Sequence, residues 1–358
     1  MPDMRFAPPN PIRIADRANG LNAVSVRSHN ERLVLSLLLQ HGASSRVDIG
    51  TRTGLSAQTV SVIVRSLETE GLVAKGKARK GRVGPPTIPL SLNPEGAFSV
   101  GISIGFRKTE VVLINFTGKV CQMATLPHPE PGPGYVHTNI FDTSQQLLAT
   151  LSKSQRERVA GVGLALPEGM EDSAELRNLQ SQLEGELDLE VFVQNDVTAS
   201  ASGESMFGIA RELDDYLFVY LGAQVHSRLI LNHQIYNSAT AQPSDVGILE
   251  FERMLGSNTT YADELWSRAQ GLLAFASTEA QWKTQCAGFI AQRMGELRQF
   301  VNVRTIVISS YIPDSVCEDI CQRVEEINPL VNASNGSLST SPKAIGAAGL
   351  PYSSRFTV

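Results

Sequence analysis

The sequence predicts an α/β protein in three parts: a helix-turn-helix head with a β-wing, then two α/β lobes built on one plan. Three observations carry this. Between Ser28 and Pro94 apolar residues recur at helical spacing, interrupted by glycines and followed by a Lys/Arg/Gly segment. From Phe98 the spacing changes from helical to alternating, the mark of strands. The order of strands and helices after Phe98 then occurs a second time after Asp214.

In the head, Leu33, Leu35, Leu37, Leu38 and Leu39 lie mostly at helical spacing, and Gly42 ends that helix. A short second helix runs from Arg46 to Thr53 and stops at Gly54. The third opens at Ser56, whose hydroxyl suits an N-cap, and turns Val60, Ile63, Val64 and Leu67 inward. Two short helices around a glycine turn, the second with a polar outer face, form the helix-turn-helix pattern. Gly71-Leu72-Val73 leads into the basic segment and then TIPLSLNP, which reads as a wing.

Charge agrees. From Arg27 to Leu90 there are ten Lys/Arg against four Asp/Glu, a surplus of six in a chain of formal charge −5, so the remainder carries −11. A basic module on an acidic body is the footprint of nucleic-acid binding, because each cation near a phosphate releases a condensed counterion. Helical geometry puts Gln58, Thr59, Ser61 and Arg65 on the face that enters a major groove, with Ser56 beside the backbone. Arg46, Lys75, Lys77, Arg79, Lys80 and Arg82 complete the expected double-stranded DNA contacts.

The rest of the chain sets bounds. A length of 358 residues exceeds one ordinary core. No segment approaches the ~20 uninterrupted apolar residues of a membrane span, and the N-terminal stretch lacks a signal-peptide core. Four cysteines (Cys121, Cys286, Cys317, Cys321) are few, which fits a reducing, cytoplasmic setting. The six histidines show no ligand spacing, so neither metal nor cofactor is expected.

AFSVGISIGF, TEVVLINF and KVCQMATL read as three consecutive strands, turning at Phe106-Arg107-Lys108 and Thr117-Gly118. A helix from about Ile140 to Ser152 follows, and VAGVGLAL and LEVFVQND read as buried parallel strands. DDYLFVYLGA, SRLILNHQ and IYN repeat the three-strand run, with a turn at Asn232-His233. Helices from about Ala262 to Ser277 and Glu279 to Asn302, the strand RTIVISS, and a helix through Cys317 to Ile327 complete the copy. Such a duplication implies a ribonuclease-H-like (actin/sugar-kinase-like) domain with a ligand cleft between its lobes. The expected divisions are a loosely ordered lead (1–26), the winged head (27–94), a first lobe (95–215) and a second (216–358). The C-terminal helix is a candidate to return to the first lobe.

With these landmarks in order (the winged head, GISIG, GVGLALP, VQNDVTASASGES, Gly222 and IGAAGL), the chain resembles the ROK family of repressors and sugar kinases, in its repressor branch. The resemblance runs from about Arg27 to Leu350. It implies a homodimer or higher oligomer that binds an operator and answers to a sugar or sugar derivative. Against the kinase pattern, Ser103 stands where an acid would help hold Mg²⁺, and Phe106 replaces a glycine. Only Gly222 remains in the second phosphate loop, and Ser309-Ser310 replace the glycines that face the nucleotide base. A neutral hydroxyl supplies no charge to a metal, and lost glycines close the backbone to phosphate. The resemblance therefore implies a regulator that is not an enzyme. The zinc-binding His of the family aligns with Ile248, with no cysteine in Leu249 to Tyr261.

Asn195 and Asp196 stand where the family's Asn-Asp pair holds sugar hydroxyls, and Asp245 where a sugar-contacting Glu stands one methylene longer. Asn195-Asp196 equally suits the N-cap of the following helix. A later contact falls on Asp263 or Glu264, and Glu168 replaces a glycine after Pro167. In the wing the family's minor-groove Arg aligns with Pro85, leaving Arg82, or Arg79 and Lys80, to take that contact.

Overall fold

The computed structural model describes residues 29–78, 88–105, 108–129, 136, 138–167, 174–221, 225–236, 276–310, 312, 314–338 and 341–358. These divide into two compact units. One holds the described residues through Phe207 together with Lys343–Val358; the other lies within Gly208–Pro342.

The first unit begins with the head. Helix α1 (His29–His41) buries Val34, Leu35, Leu37 and Leu38 and ends at Gly42, whose φ of 68° only glycine adopts freely. Helix α2 (Arg46–Thr53) starts at a capping box: Ser45 Oγ accepts from Asp48 N at 3.1 Å while Asp48 Oδ2 accepts from Ser45 N at 3.0 Å. Gly54, at φ 71°, closes it by donating to Gly50 O. Helix α3 (Ala57–Thr69) is capped by Ser56 and buries Val60, Ile63, Val64 and Leu67, each worth ~1.5–3 kcal/mol of burial. Strand β1 (Val73–Lys75) pairs antiparallel with β2 (Leu90–Leu92), and Ser44 bridges Leu90 from the other side. The residues between them that carry Arg79, Lys80 and Arg82 lie outside the described set.

The first lobe follows. Strands β3 (Phe98–Ile104), β4 (Lys108–Asn115) and β5 (Val120–Pro127) form an antiparallel meander. β6 (Val159–Leu166) and β7 (Val191–Asn195) add in parallel, giving the order β5-β4-β3-β6-β7. The helix expected to reach Ser152 is two: α4 (Ile140–Ala149), then α5 (Lys153–Arg156). Ser152 is the reason, because its hydroxyl starts a new capping box with Gln155. Helices α6 (Ala174–Leu187) and α7 (Asp196–Met206) flank β7.

The second unit repeats the topology. β8 (Tyr216–Leu221), β9 (Val225–Leu231) and β10 (Gln234–Ile235) are an antiparallel meander whose turn holds Asn232 and His233 at φ 52° and 62°, both in the left-handed region that primed hairpin turns require. Helix α8 (Ala276–Leu297) runs without the break expected near Ser277. β11 (Thr305–Ser310), α9 (Asp314–Ile327) and β12 (Asn332–Asn335) complete the order β10-β9-β8-β11-β12. Cys286, Cys317 and Cys321 are buried here, and desolvation pushes the Cys317 and Cys321 thiols up to about 12.

Helix α10 (Pro342–Arg355) belongs to the first unit, where it lies on β3, β6 and α7 with almost no side chain between. A Cβ on Gly163 would stand 1.7 Å from Ala347 O, one on Gly101 2.0 Å from Ala344 O, and one on Gly346 2.0 Å from Ala199 O. Its far end grips the head: Arg32 Nε donates to Thr357 O at 2.5 Å, Arg32 Nη2 to Ser353 O at 3.1 Å, and Val358 N to Ser36 Oγ at 2.9 Å. Arg158 forms a second attachment, donating from Nη1 to Glu70 O (3.1 Å) and Gly96 O (3.2 Å). Among the described residues, no helix is long and apolar enough to cross a membrane.

Candidate nucleic-acid interface and effector pocket

The outer face of α3 is set by what its inner face buries. Gln58, Ser61 and Arg65 are exposed and Thr59 is half-buried. Two of these four side chains are partly committed: Thr59 Oγ1 shares a hydrogen bond with the capping Ser56 Oγ at 2.8 Å, and Ser61 Oγ donates to Ala57 O at 2.8 Å. Both oxygens retain acceptor capacity. Sequence reasoning missed Val62, which is 64% exposed on the same face. An exposed valine beside Gln58 and Arg65 suits the methyl group of thymine. The signal was present: on a 13-residue helix Val62 falls off the apolar stripe of Val60, Ile63, Val64 and Leu67.

The structure brings two of the expected DNA contacts to one carboxylate. Lys75 Nζ lies 2.9 Å from Glu68 Oε2, and Arg46 Nη2 lies 3.5 Å from Glu68 Oε1. Glu68 thus aligns one cation from α2 and one from the wing strand, while offsetting part of their charge. Lys77 is exposed in the wing. At the start of α2, hydrogen bonds from the Ser45 hydroxyl and backbone hold the Asp48 carboxyl below its ordinary 3.8.

In the first lobe, Asn195 acts as the helix cap: its Oδ1 accepts from Thr198 N at 2.7 Å. Asp196 does something else. Its Oδ2 is ion-paired to Lys343 Nζ at the start of α10, while its Oδ1 is buried with no hydrogen-bond partner. Ser200 Oγ, one turn further along the same face of α7, is also buried and unpartnered, as is Ser202 Oγ on the same helix. Buried polar atoms left unsatisfied in this way require an explanation. Lys343 was not foreseen, since no local pattern marks a lysine 147 residues from its partner. Asp245, Ile248, Asp263, Glu264, Phe106, Gly222 and Glu168 lie outside the described residues.

The kinase-related positions are occupied as follows. Ser103 is buried on β3, opposite Glu110 and Ala165. Ser310 Oγ donates to Leu221 O at 2.5 Å and accepts from Ile312 N at 3.1 Å, so its hydroxyl is used within the strand end. Arg228 is wholly buried, donating from Nη1 to Ser227 O at 2.7 Å.

Residues 28–82 match the MarR family and residues 99–247 match the ROK family. An uncharacterized protein, y4fQ, of Sinorhizobium fredii is 23% identical over 90% of this chain and 88% of its own length. The xylose repressor of Bacillus subtilis is 22% identical over 62% of this chain; the match spans 60% of that repressor's length. A crystal structure of a ROK family transcriptional regulator, a homolog of the Escherichia coli MLC protein, superposes with a TM-score of 0.63 at 17% identity, covering 92% of this chain and 97% of the other.

Proposed function

We propose that this chain, whose residues 28–82 match the MarR family and 99–247 the ROK family, is a sequence-specific DNA-binding transcriptional repressor with a non-catalytic, sugar-responsive body. The observation that carries the reading is the presented face of α3. Gln58, Ser61, Val62 and Arg65 project from a capped helix, within a head that holds a surplus of six positive charges. Gln58 pairs with adenine, Arg65 takes a guanine or a phosphate, and Arg46, Lys75 and Lys77 fix the register on the backbone. A two-fold dimer would present two such helices to half-sites about one helical turn, ~34–36 Å, apart. A cytoplasmic setting follows from that partner.

The effector is a sugar or sugar derivative held by Asp196, with Asp245 as a further contact. The support is the buried Asp196 Oδ1, which has no hydrogen-bond partner, with the unpartnered Ser200 Oγ one turn along the same face of α7. Phosphoryl transfer is disfavoured by the same site. A base must accept a proton from the substrate hydroxyl, and Asp196 is already paired with an ammonium. Ser103 brings no charge for Mg²⁺, and no metal or cofactor has a role in the proposal.

The decisive experiment selects bound duplexes from a random pool with the wild-type chain, with and without xylose and a panel of hexoses, amino sugars and polyols. Enrichment of a palindromic site that is lost with Gln58→Ala is expected. Selection of no preferred sequence would overturn the reading. ATP-dependent phosphorylation of any sugar in the panel would establish the kinase alternative instead.

A further inference from the structure

We propose that the Lys343–Asp196 ion pair is a latch, and that α10 carries its state to the DNA-binding head. The inference deepens the effector reading and rests on it for the identity of the site. Helix α10 has its first turn at Asp196 and its far end on α1. Lys343 pairs with Asp196 at one end. Ten residues on, about 15 Å along the axis, Ser353 O and then Thr357 O accept from Arg32, and Val358 N donates to Ser36.

Between those ends the helix has no slack. Its contacts with Gly101, Gly163 and Ala199 are backbone to backbone, and the side chains along the seat are alanines. Large side chains absorb a displacement by changing rotamer; alanine and glycine have none to change. Movement at Lys343 is therefore passed along α10 as a rigid shift. Pro351 has no N–H to bond Ala347 O, so that carbonyl is left to face Gly163.

Asp196 is buried, so its charge needs a partner, and Lys343 provides it when no ligand is present. A hydroxyl-bearing ligand that donates to Asp196 competes for the same carboxylate and loosens the first turn of α10. Opening and closing then bias how the head is held on the first lobe.

The test compares full-length wild type, Lys343→Gln, Lys343→Arg and Arg32→Ala, without any sugar, on the duplex that the wild type selects. Lys343→Gln should mimic the effector state. It should lower affinity by about five- to a hundredfold, the usual range of coupling between sites, and raise amide exchange across residues 29–41. Lys343→Arg should restore both. The double variant Lys343→Gln/Arg32→Ala should bind no worse than Arg32→Ala alone, because the far clasp is already open. Sites this far apart that act independently would multiply their effects instead. Multiplicative effects, or a folded Lys343→Gln with wild-type affinity and exchange, would overturn the latch. If the latch variants behave as expected while no sugar binds, the latch stands and only the effector reading falls. If a sugar binds through Asp196 while Lys343→Gln is silent, the converse holds.

Discussion

Replacing Gly163 by alanine should unseat α10. The new Cβ would lie 1.7 Å from Ala347 O and 2.4 Å from Ala347 C, about 1.5–2 Å short of an ordinary contact. The obstructing atoms are helix backbone, so no rotamer change relieves the clash. The helix must retreat by a comparable distance, opening gaps at Gly101 and Ala199, where the backbones now touch. Overpacking typically costs about 1–3 kcal/mol, and a backbone obstacle puts this case at ~3 kcal/mol or more. For a unit of roughly 200 residues that corresponds to a fall in Tm of roughly 6–12 °C. Calorimetry of the whole chain should find the loss in the transition of the first unit, with the second unit unmoved. Gly288→Ala, in the interior of α8 where a Cβ meets nothing within 4 Å, is the control and should stabilise by about 0.5–1 kcal/mol. A shift below about 2 °C for Gly163→Ala, or one confined to the second unit, would refute the close seating of α10.

Other outcomes follow from the head. Glu68→Gln releases Arg46 and Lys75 from their shared carboxylate, so affinity for random duplex should rise and the salt dependence steepen by up to about two counterions. Arg65→Ala should weaken binding in fluorescence-anisotropy titrations; if Arg65 takes a phosphate, the salt slope falls by about one, and if a guanine, base preference relaxes at one position. Asp48→Ala should destabilise the head at pH 6, measured by thermal melting. Because folding lowers the pKa of Asp48 below 3.8, its contribution is present above that value and lost as pH falls through the lowered one. The variant and wild type should therefore converge in strong acid.

What the sequence made legible was local. Ser56 announces the start of α3, Gly42 and Gly54 announce stops, and the four buried residues of α3 follow from its period. The duplicated strand order was readable for the same reason, since each copy repeats its own alternation. Strand β12 was not, because NASN offers one small apolar residue and gains its place only by pairing in parallel with β11. At the sites, Gln58 and Arg65 came from helix geometry alone. Glu68 as the shared partner of Arg46 and Lys75 depends on bringing α2, α3 and β1 together, and Lys343 depends on a helix returning across the length of the second lobe. The run IGAAGL advertises tight packing but carries no information about which glycines receive it.

The return of α10 also has a consequence for how the protein is made. The central strands of the first lobe, β3 and β6, keep an unfilled seat until residues 343–358 arrive, whereas the described residues of the other unit all lie within Gly208–Pro342. Contacts such as Val358 to Ser36 span 322 residues, and closure over such separations is slow. The surface exposed while the chain waits is largely glycine and alanine at its centre, which offers little for a neighbouring nascent chain to adhere to. The head gains its last anchor only when that seat is filled, so a partly assembled molecule displays a recognition helix on a loosely held base.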